Sequence, residues 1–228
     1  IVIGGLLVGK GKIWLDNFQV SIDGKDLDNK NIEIYTREIL PAEKDKEFDN
    51  GSNITFSNLT NETINNLELL GKVWGFLKYY HPQVAKGNYN WDEQLFEVLP
   101  KIETATTKND LSKIYLDWIS SLGSIEECKK CNQKSENIYF NKNFNLSWIN
   151  NNKLFTSELS EKLKFIENNR YQGESNYVKF ENKKVGNLNF TNELIYKDLD
   201  WNNQNLRLLT LFRYWNIIEY FFPYKYQI

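Results

Sequence analysis

The stretch L-R-L-L-T-L-F-R-Y-W-N-I-I-E-Y-F-F (residues 206–222) would place apolar side chains around nearly the whole circumference of a helix. A helix of this kind has to be buried on most of its surface. Pro223 follows at once, and a proline opposes continuation of the helix before it. The stretch therefore predicts a long helix that is buried on most sides and ends at the proline.

The place of this stretch in the chain raises a second expectation. A free carboxyl terminus is normally frayed and polar, yet the aromatic stretch lies close to Ile228, and the sequence contains no Met. We therefore expect the chain to be part of a longer protein, in which these rings dock against a following domain. The residues expected in this docking interface are Trp215, Tyr220, Phe221, Phe222 and Tyr224.

One internal similarity links this helix to an earlier one. The segments W-G-F-L-K-Y-Y-H-P (residues 74–82) and W-N-I-I-E-Y-F-F-P (residues 215–223) share the pattern W-x-x-[LI]-x-Y-[YF]-x-P. Two helices that end alike are candidates to pack as a pair. Coincidence between two aromatic helices that are stopped by proline is the alternative.

The middle of the chain has helical periodicity. One apolar stripe predicts a first helix that begins near Thr60 or Asn61 and ends at His81 and Pro82. The stripe consists of Leu67, Leu70, Val73, Trp74 and Leu77. The other predicted elements are helices over residues 91–100 (stopped by Pro100), 110–121 (capped by Asn109 or Asp110) and 157–167, and a hairpin of two strands over 177–180 and 185–190.

The beginning of the chain has the composition of β-structure. The stretch I-W-L-D-N-F-Q-V-S-I (residues 13–22) predicts a strand, Asp23-Gly24 a turn, and N-I-E-I-Y (residues 31–35) another strand. The apolar run at residues 1–10 is too short to span a bilayer and is predicted to be a buried strand.

These patterns divide the chain into three parts. Residues 1–40 are predicted to be the last strands of a truncated β domain, because two or three strands cannot bury a sheet face alone. The charged, turn-rich residues 41–56 are predicted to be a linker, and residues 57–228 a helical domain with a small hairpin. The expected fold class is α+β, mainly α.

Composition and motifs exclude several functions. The formal net charge of -2 argues against a nucleic-acid partner, and no apolar run is long enough to cross a membrane. The sequence contains no G-x-S-x-G, Walker A, H-E-x-x-H or dinucleotide-binding pattern. We therefore expect no cofactor and no metal ion, and the residues alone assemble no recognisable catalytic site.

Three residues whose side chains could take part in catalysis or metal binding are expected to have structural roles. His81, the only histidine, is expected to interact with the last carbonyls of its helix rather than to act as a general base. Cys128 and Cys131 form a C-x-x-C pair, and with His81 they supply fewer ligands than a structural zinc site uses. In an exported protein they would form a local disulfide, and otherwise they would be free thiols.

Three segments carry a resemblance to a known family: L-G-K-V-W-G-F-L-K-Y-Y-H-P (residues 70–82), N-W-D-E-Q-L-F (residues 90–96) and L-L-T-L-F-R-Y-W-N-I-I-E-Y-F-F-P-Y-K-Y (residues 208–226). They closely resemble the amino-terminal, pre-catalytic region of tail-specific (carboxy-terminal-processing, tricorn-like) serine peptidases of the Bacteroidetes type. Residues 11–24 look like the end of the jelly-roll-like β domain that precedes the helices in such proteins.

The resemblance implies a place in a larger enzyme. In that family the helical part precedes a PDZ-like module and a catalytic domain that carries the nucleophilic serine. None of the matching segments is the catalytic one, so the resemblance assigns no catalytic residue here and gives His81 no catalytic role. It implies a periplasmic or secreted serine-type endopeptidase that acts on polypeptides. This chain would scaffold the missing domains and would be inactive alone.

Two other functions are open at this point. A carbohydrate- or peptide-binding module would use exposed rings, for which the candidates are Trp14, Trp91, Trp148 and Trp201. A glycoside hydrolase would need two carboxyl groups about 5–10 Å apart across a cleft. The adjacent acidic pairs are Asp92 with Glu93, Glu126 with Glu127, and Asp198 with Asp200, and the default expectation for all of them is a solvated surface.

Overall fold

The structure is a computed structural model that describes most of the chain. The described residues are 5–17, 19–22, 24–26, 37–50, 52, 54–56, 59–129, 131, 145–182, 186–196, 200 and 202–228. The chain divides into two compact units, Ile1–Glu38 and Ile39–Ile228.

The first unit contains one short antiparallel hairpin in its described part. Strand β1 (Ser21–Ile22) pairs with β2 (Lys25–Asp26), and Gly24 between them has a φ of 77°. The strand predicted over 13–22 is wrong for the described residues before Ser21, and the described residues of 1–10 form no strand. Trp14 is 86% exposed, because a strand buries its side chains only when a sheet forms around it. The strand predicted over 31–35 lies outside the described residues.

The second unit is mainly helical, which confirms the predicted fold class. Its helices are α1 (Pro41–Lys44), α2 (Asn61–Tyr80), α3 (Pro82–Ala85), α4 (Trp91–Glu103), α5 (Lys108–Ser121), α6 (Ser157–Asn168) and α7 (Gln204–Phe221), with 3-10 turns at Ser147–Asn150 and Lys225–Gln227. Strands β3 (Val178–Asn182) and β4 (Asn187–Phe190) form the predicted antiparallel hairpin.

The first predicted helix is confirmed at both ends. The Thr60 hydroxyl accepts a hydrogen bond from the Thr63 N–H at 3.1 Å and caps α2. The helix ends at Tyr80, because Pro82 cannot continue it and starts the short α3 instead.

Two predicted helix boundaries are wrong. α4 continues through Pro100 to Glu103. Ile102 in its last turn is fully buried in the core, and this burial offsets the cost of the helix hydrogen bond that proline cannot donate. α5 is capped by Thr107, whose hydroxyl accepts from the Asp110 N–H while the Asp110 carboxylate accepts from the Thr107 N–H, each at 3.1 Å. Asp110 therefore completes a capping box and is not the cap itself.

Residues 41–56, predicted to be a linker, pack against the helical unit where the structure describes them. The side chains of Phe48, Ile54 and Phe56 contact its core, and the Phe56 N–H donates to Oε1 of Gln204 at 3.0 Å. Ser52 is buried. The segment is therefore part of the second unit.

Three tryptophans lie at the centre of the core. The indole N–H groups of Trp74 and Trp91 each donate to the backbone carbonyl of the other, both at 3.0 Å. The rings of Trp91 and Trp118 stack with centroids 5.1 Å apart. Trp91 is completely buried, so it is not one of the exposed rings that a binding module would use.

Candidate functional site

Helices α2 and α7 pack closely, as their similar sequences suggested. Asn216 of α7 is buried, and its side-chain amide donates to the carbonyl of Gly71 at 3.1 Å and to that of Phe212 at 2.8 Å. A Cβ atom at Gly75 would lie 2.6 Å from Nδ2 of Asn216 and closer still to its Cγ and Oδ1. Glycine at this position therefore permits the contact between the two helices.

This packing brings the aromatic ends of the two helices together. The Tyr79 ring lies 5.2 Å from that of Tyr220 and 4.8 Å from that of Phe221, measured between centroids. Phe221 also contacts Phe190 of β4, at 5.5 Å. The contacts tie α2, α7 and the hairpin into one aromatic cluster.

The structure separates the five predicted docking residues into two groups. Trp215, Phe222 and Tyr224 are exposed, and Trp215 retains 49% of its accessible surface. Tyr220 is buried and Phe221 is half-buried, because both pack within the aromatic cluster. The expectation that Tyr220 faces the docking partner is therefore wrong.

Three further residues, which were not among the predicted docking residues, complete a row along α7. Leu211 and Tyr214 are exposed on the same helix, Tyr214 by 65%, and Ile218 is half-buried. Leu211, Tyr214, Trp215, Ile218 and Phe222 recur at spacings of three and four, so they share one face of α7, which we call the α7 stripe. The spacing was visible in the sequence, but a helix that is apolar all round does not show which face is outside.

A groove lies beside the aromatic cluster. It has a volume of about 870 Å³. Its lining consists of Tyr79, Tyr80, Tyr220 and Phe221, residues 172–175, residues 178–180 of β3, and Leu188 of β4. We call it the hairpin groove. Phe180 is 59% exposed, so the groove offers apolar surface to a ligand.

A network of four charged side chains, of which Lys78 and Asp92 are buried, lies on the inner side of α7. Lys78 pairs with Glu193, and Arg213 pairs with Asp92. Nε of Arg213 lies 3.7 Å from Oε2 of Glu193, which joins the two pairs. The Tyr196 hydroxyl donates to Asp92 at 3.4 Å. The network connects α2, α4, α7 and the segment after β4.

Burial dominates the electrostatics of this network. It lowers the pKa of Lys78, against the opposing attraction of Glu193. It raises the pKa of Asp92, against the opposing attraction of Arg213. Lys78 also lies 4.8 Å from the centre of the Trp74 ring. Lys78 and Asp92 are closed to solvent, so the network stabilises helix packing rather than offering a reactive group.

The surroundings of His81 fit neither a general base nor the expected helix-end contact. The side chain is fully buried, and neither ring nitrogen has a hydrogen-bond partner among the described residues. Burial, together with a smaller contribution from the positive charge of Lys162, lowers the pKa of His81 to about 4. Its backbone N–H, not its ring, donates to the Leu77 carbonyl at 3.0 Å. The imidazole is therefore neutral at pH 7.

Cys128 and Cys131 form a disulfide. The Cys128 N–H donates to Oδ1 of Asn169 at 2.8 Å, and a guanidinium nitrogen of Arg170 lies 3.4 Å from the Cys131 carbonyl. The bridge thus holds its loop against the end of α6, which leads into the segment that lines the hairpin groove.

The acidic pair nearest the core is buried, not solvated as expected. Asp92 faces Arg213, whereas its neighbour Glu93 accepts a hydrogen bond from the Glu47 N–H at 3.0 Å. Glu126 and Glu127 are exposed, and Asp198 lies outside the described residues.

A comparison of the chain with protein-family models, curated proteins and solved structures found no match. None of the helices in the described ranges is long and apolar enough to cross a membrane. Across the same residues, no three His, Cys, Asp or Glu side chains come together in a group that could hold a metal ion.

Proposed function

We propose that the chain is the non-catalytic, pre-catalytic part of a periplasmic or secreted serine-type peptidase. In this role the α7 stripe docks the PDZ-like and catalytic domains that the resemblance implies. The resemblance of the α2, α4 and α7 segments to tail-specific peptidases supports the family. The disulfide supports an oxidising compartment.

The α7 stripe is the observation that carries the docking role. Exposed large apolar residues are common singly, but a contiguous row of them marks an interface. A tryptophan buries about 150–250 Å² when it is fully covered, and about half of the surface of Trp215 is still accessible and could be buried by docking. At about 25 cal/mol per Å², covering Trp215 alone would contribute about 2–3 kcal/mol to docking.

The buried polar groups support a scaffolding role for the rest of this unit. His81 is neutral and enclosed. Asp92 and Lys78 are engaged in ion pairs. In this proposal the residues that cleave the substrate belong to the catalytic domain, and this chain by itself hydrolyses no polypeptide.

The docking role can be tested by binding in trans. The probe is a separately produced PDZ-like plus catalytic segment from a Bacteroidetes-type tail-specific peptidase, titrated calorimetrically into the 228-residue chain. Trp215→Glu should weaken binding by at least about tenfold. Ile64→Glu is the matched control, because Ile64 on α2 is equally exposed, at 49%. Absence of binding, or equal losses in both variants, would contradict the docking role.

The second candidate is a carbohydrate- or peptide-binding module. Of its four candidate rings, Trp91 is buried, Trp148 is half-buried, Trp201 lies outside the described residues, and only Trp14 is exposed. The hairpin groove favours the peptide version, because it presents apolar rings beside a strand. A saturable change of tryptophan fluorescence with soluble glycans, but not with unfolded peptides, would instead favour carbohydrate binding.

A further inference from the structure

One edge of β3 has no backbone partner among the described residues. The Thr191 N–H donates to the Tyr177 carbonyl at 3.0 Å. In an antiparallel ladder, successive residues alternate between pointing their backbone groups at the partner strand and away from it. The N–H and C=O groups of Val178 and Phe180 therefore point away from β4. No hydrogen bond within the described ranges engages this outward row.

The hairpin groove follows this open edge. Side chains of successive strand residues point to opposite faces of a sheet. Val178, Lys179 and Phe180 nevertheless all line the groove. Leu188 of β4, which pairs with Phe180, lines the groove as well. The groove therefore covers the face that carries Val178, Phe180 and Leu188, and Lys179 on the opposite face brings it to the edge of β3, where the outward backbone groups lie.

The rest of the lining complements an extended peptide. The rings of Tyr79, Tyr80 and Phe221 supply apolar surface for every second side chain of an added strand. Glu174 and Lys179 supply one charge of each sign for the side chains between. β3 has five residues, so a peptide of about five residues would match its length at about 3.3 Å per residue.

We propose that the hairpin groove binds an extended polypeptide segment, with apolar side chains at alternate positions, as an added strand along the outer edge of β3. Backbone hydrogen bonds supply affinity in this mode, and pockets for alternate side chains supply specificity. The proposal rests on the peptide-binding function and deepens it. It does not require the α7 stripe, whose residues Leu211, Tyr214, Trp215, Ile218 and Phe222 do not line the groove.

The first test uses a pair of variants at one position. The probe is a fluorescein-labelled peptide of about nine residues in which valine alternates with lysine, glutamate and serine, and binding is followed by fluorescence anisotropy. Phe180→Ala removes the ring and keeps the backbone donor, whereas Phe180→Pro removes both. Proline is tolerated on an edge strand where the N–H faces outward. We expect Phe180→Pro to bind about tenfold more weakly than Phe180→Ala.

The second test does not depend on any variant folding. Two further peptides carry N-methyl groups on alternate backbone nitrogens, one on the valines and one on the residues between. An added strand directs only one of these sets at β3. One peptide should therefore lose at least about tenfold in affinity for the unmodified chain while the other retains it.

Several results would overturn the proposal. Equal binding of the two methylated peptides would show that only side chains are recognised. No saturable anisotropy change up to about 1 mM peptide would show that the groove does not bind peptides. Self-association of the chain that Phe180→Pro abolishes, without peptide binding, would show that a second copy occupies the edge. Loss of peptide binding in Trp215→Glu but not in Phe180→Pro would place the ligand on the α7 stripe instead.

Discussion

Replacing Gly75 by alanine tests the close contact of α2 with α7, on which the position of the α7 stripe depends. The new Cβ would lie 2.6 Å from Nδ2 of Asn216 and nearer still to its Cγ and Oδ1. Asn216 is buried and is held by hydrogen bonds to the carbonyls of Gly71 and Phe212. The clash can be relieved only if that side chain gives up those bonds or the helices move apart.

The expected cost follows from three contributions. Overpacking a close contact costs about 1–3 kcal/mol. Displacing a buried amide from its carbonyl partners costs about 1–3 kcal/mol more. Alanine gains about 1 kcal/mol over glycine inside a helix. We therefore expect Gly75→Ala to lower the free energy of unfolding by about 3 kcal/mol.

Urea unfolding followed by tryptophan fluorescence measures this cost, and a second background isolates its cause. Asn216→Ala removes the side chain with which the new methyl group collides. In that background Gly75→Ala should be neutral or stabilise by up to about 1 kcal/mol, through helix propensity alone. A cost below about 0.5 kcal/mol in the unmodified chain, or the same cost in both backgrounds, would refute the reasoning.

Three further predictions concern stability. Arg213→Met should lower the free energy of unfolding in urea by about 3–5 kcal/mol, because it leaves the Asp92 carboxylate buried without its partner. Adding Asp92→Leu should recover much of the loss. Equal stability of Arg213→Met and the unmodified chain would contradict this. Burial raises the pKa of Glu93 from 4.5 to about 7, so the folded state binds this proton more tightly than the unfolded state. The resulting contribution to the free energy of unfolding is complete below pH 4.5 and is lost as the pH rises through about 7. As the pH rises across that range, the urea midpoint should fall less in Glu93→Gln than in the unmodified chain. The same dependence of the midpoint on pH in both proteins would exclude Glu93 as its cause. Reducing the Cys128–Cys131 bridge with dithiothreitol should lower the free energy of unfolding by no more than about 2 kcal/mol, because it closes a very short loop; a much larger loss would mean that the bridge holds more than its own loop.

Most helices were predictable because their apolar side chains recur on one face, and α7 was predictable from its long apolar run and the proline after it. The stripe that ends at Leu77 located α2, and Pro82 located its end. The prediction over 13–22 failed because strand composition is not sufficient without neighbouring strands to pair with. The prediction that Pro100 ends α4 was wrong, because the burial of Ile102 in the core outweighed the local preference of proline for ending a helix.

The candidate site was predictable only in part. Trp215 and Phe222 are exposed, as their predicted docking role requires, but α7 is apolar on all sides, so the sequence could not show that Tyr220 is buried. The ion pair between Lys78 and Glu193 joins residues 115 positions apart. No local pattern relates such residues, because only the packing of the helices brings them together. The hairpin groove was likewise invisible, since α2, α7 and the hairpin each supply part of it.

Hydroxyl-radical footprinting of the chain, with and without the PDZ-like plus catalytic segment, tests the docking role of the α7 stripe most directly. We predict that the segment protects Tyr214, Trp215 and Phe222 from oxidation several-fold. Phe165 on α6, which is exposed but lies outside the stripe, should be labelled equally in both samples. Unchanged labelling of Trp215 under conditions that saturate the chain with the segment would contradict the account.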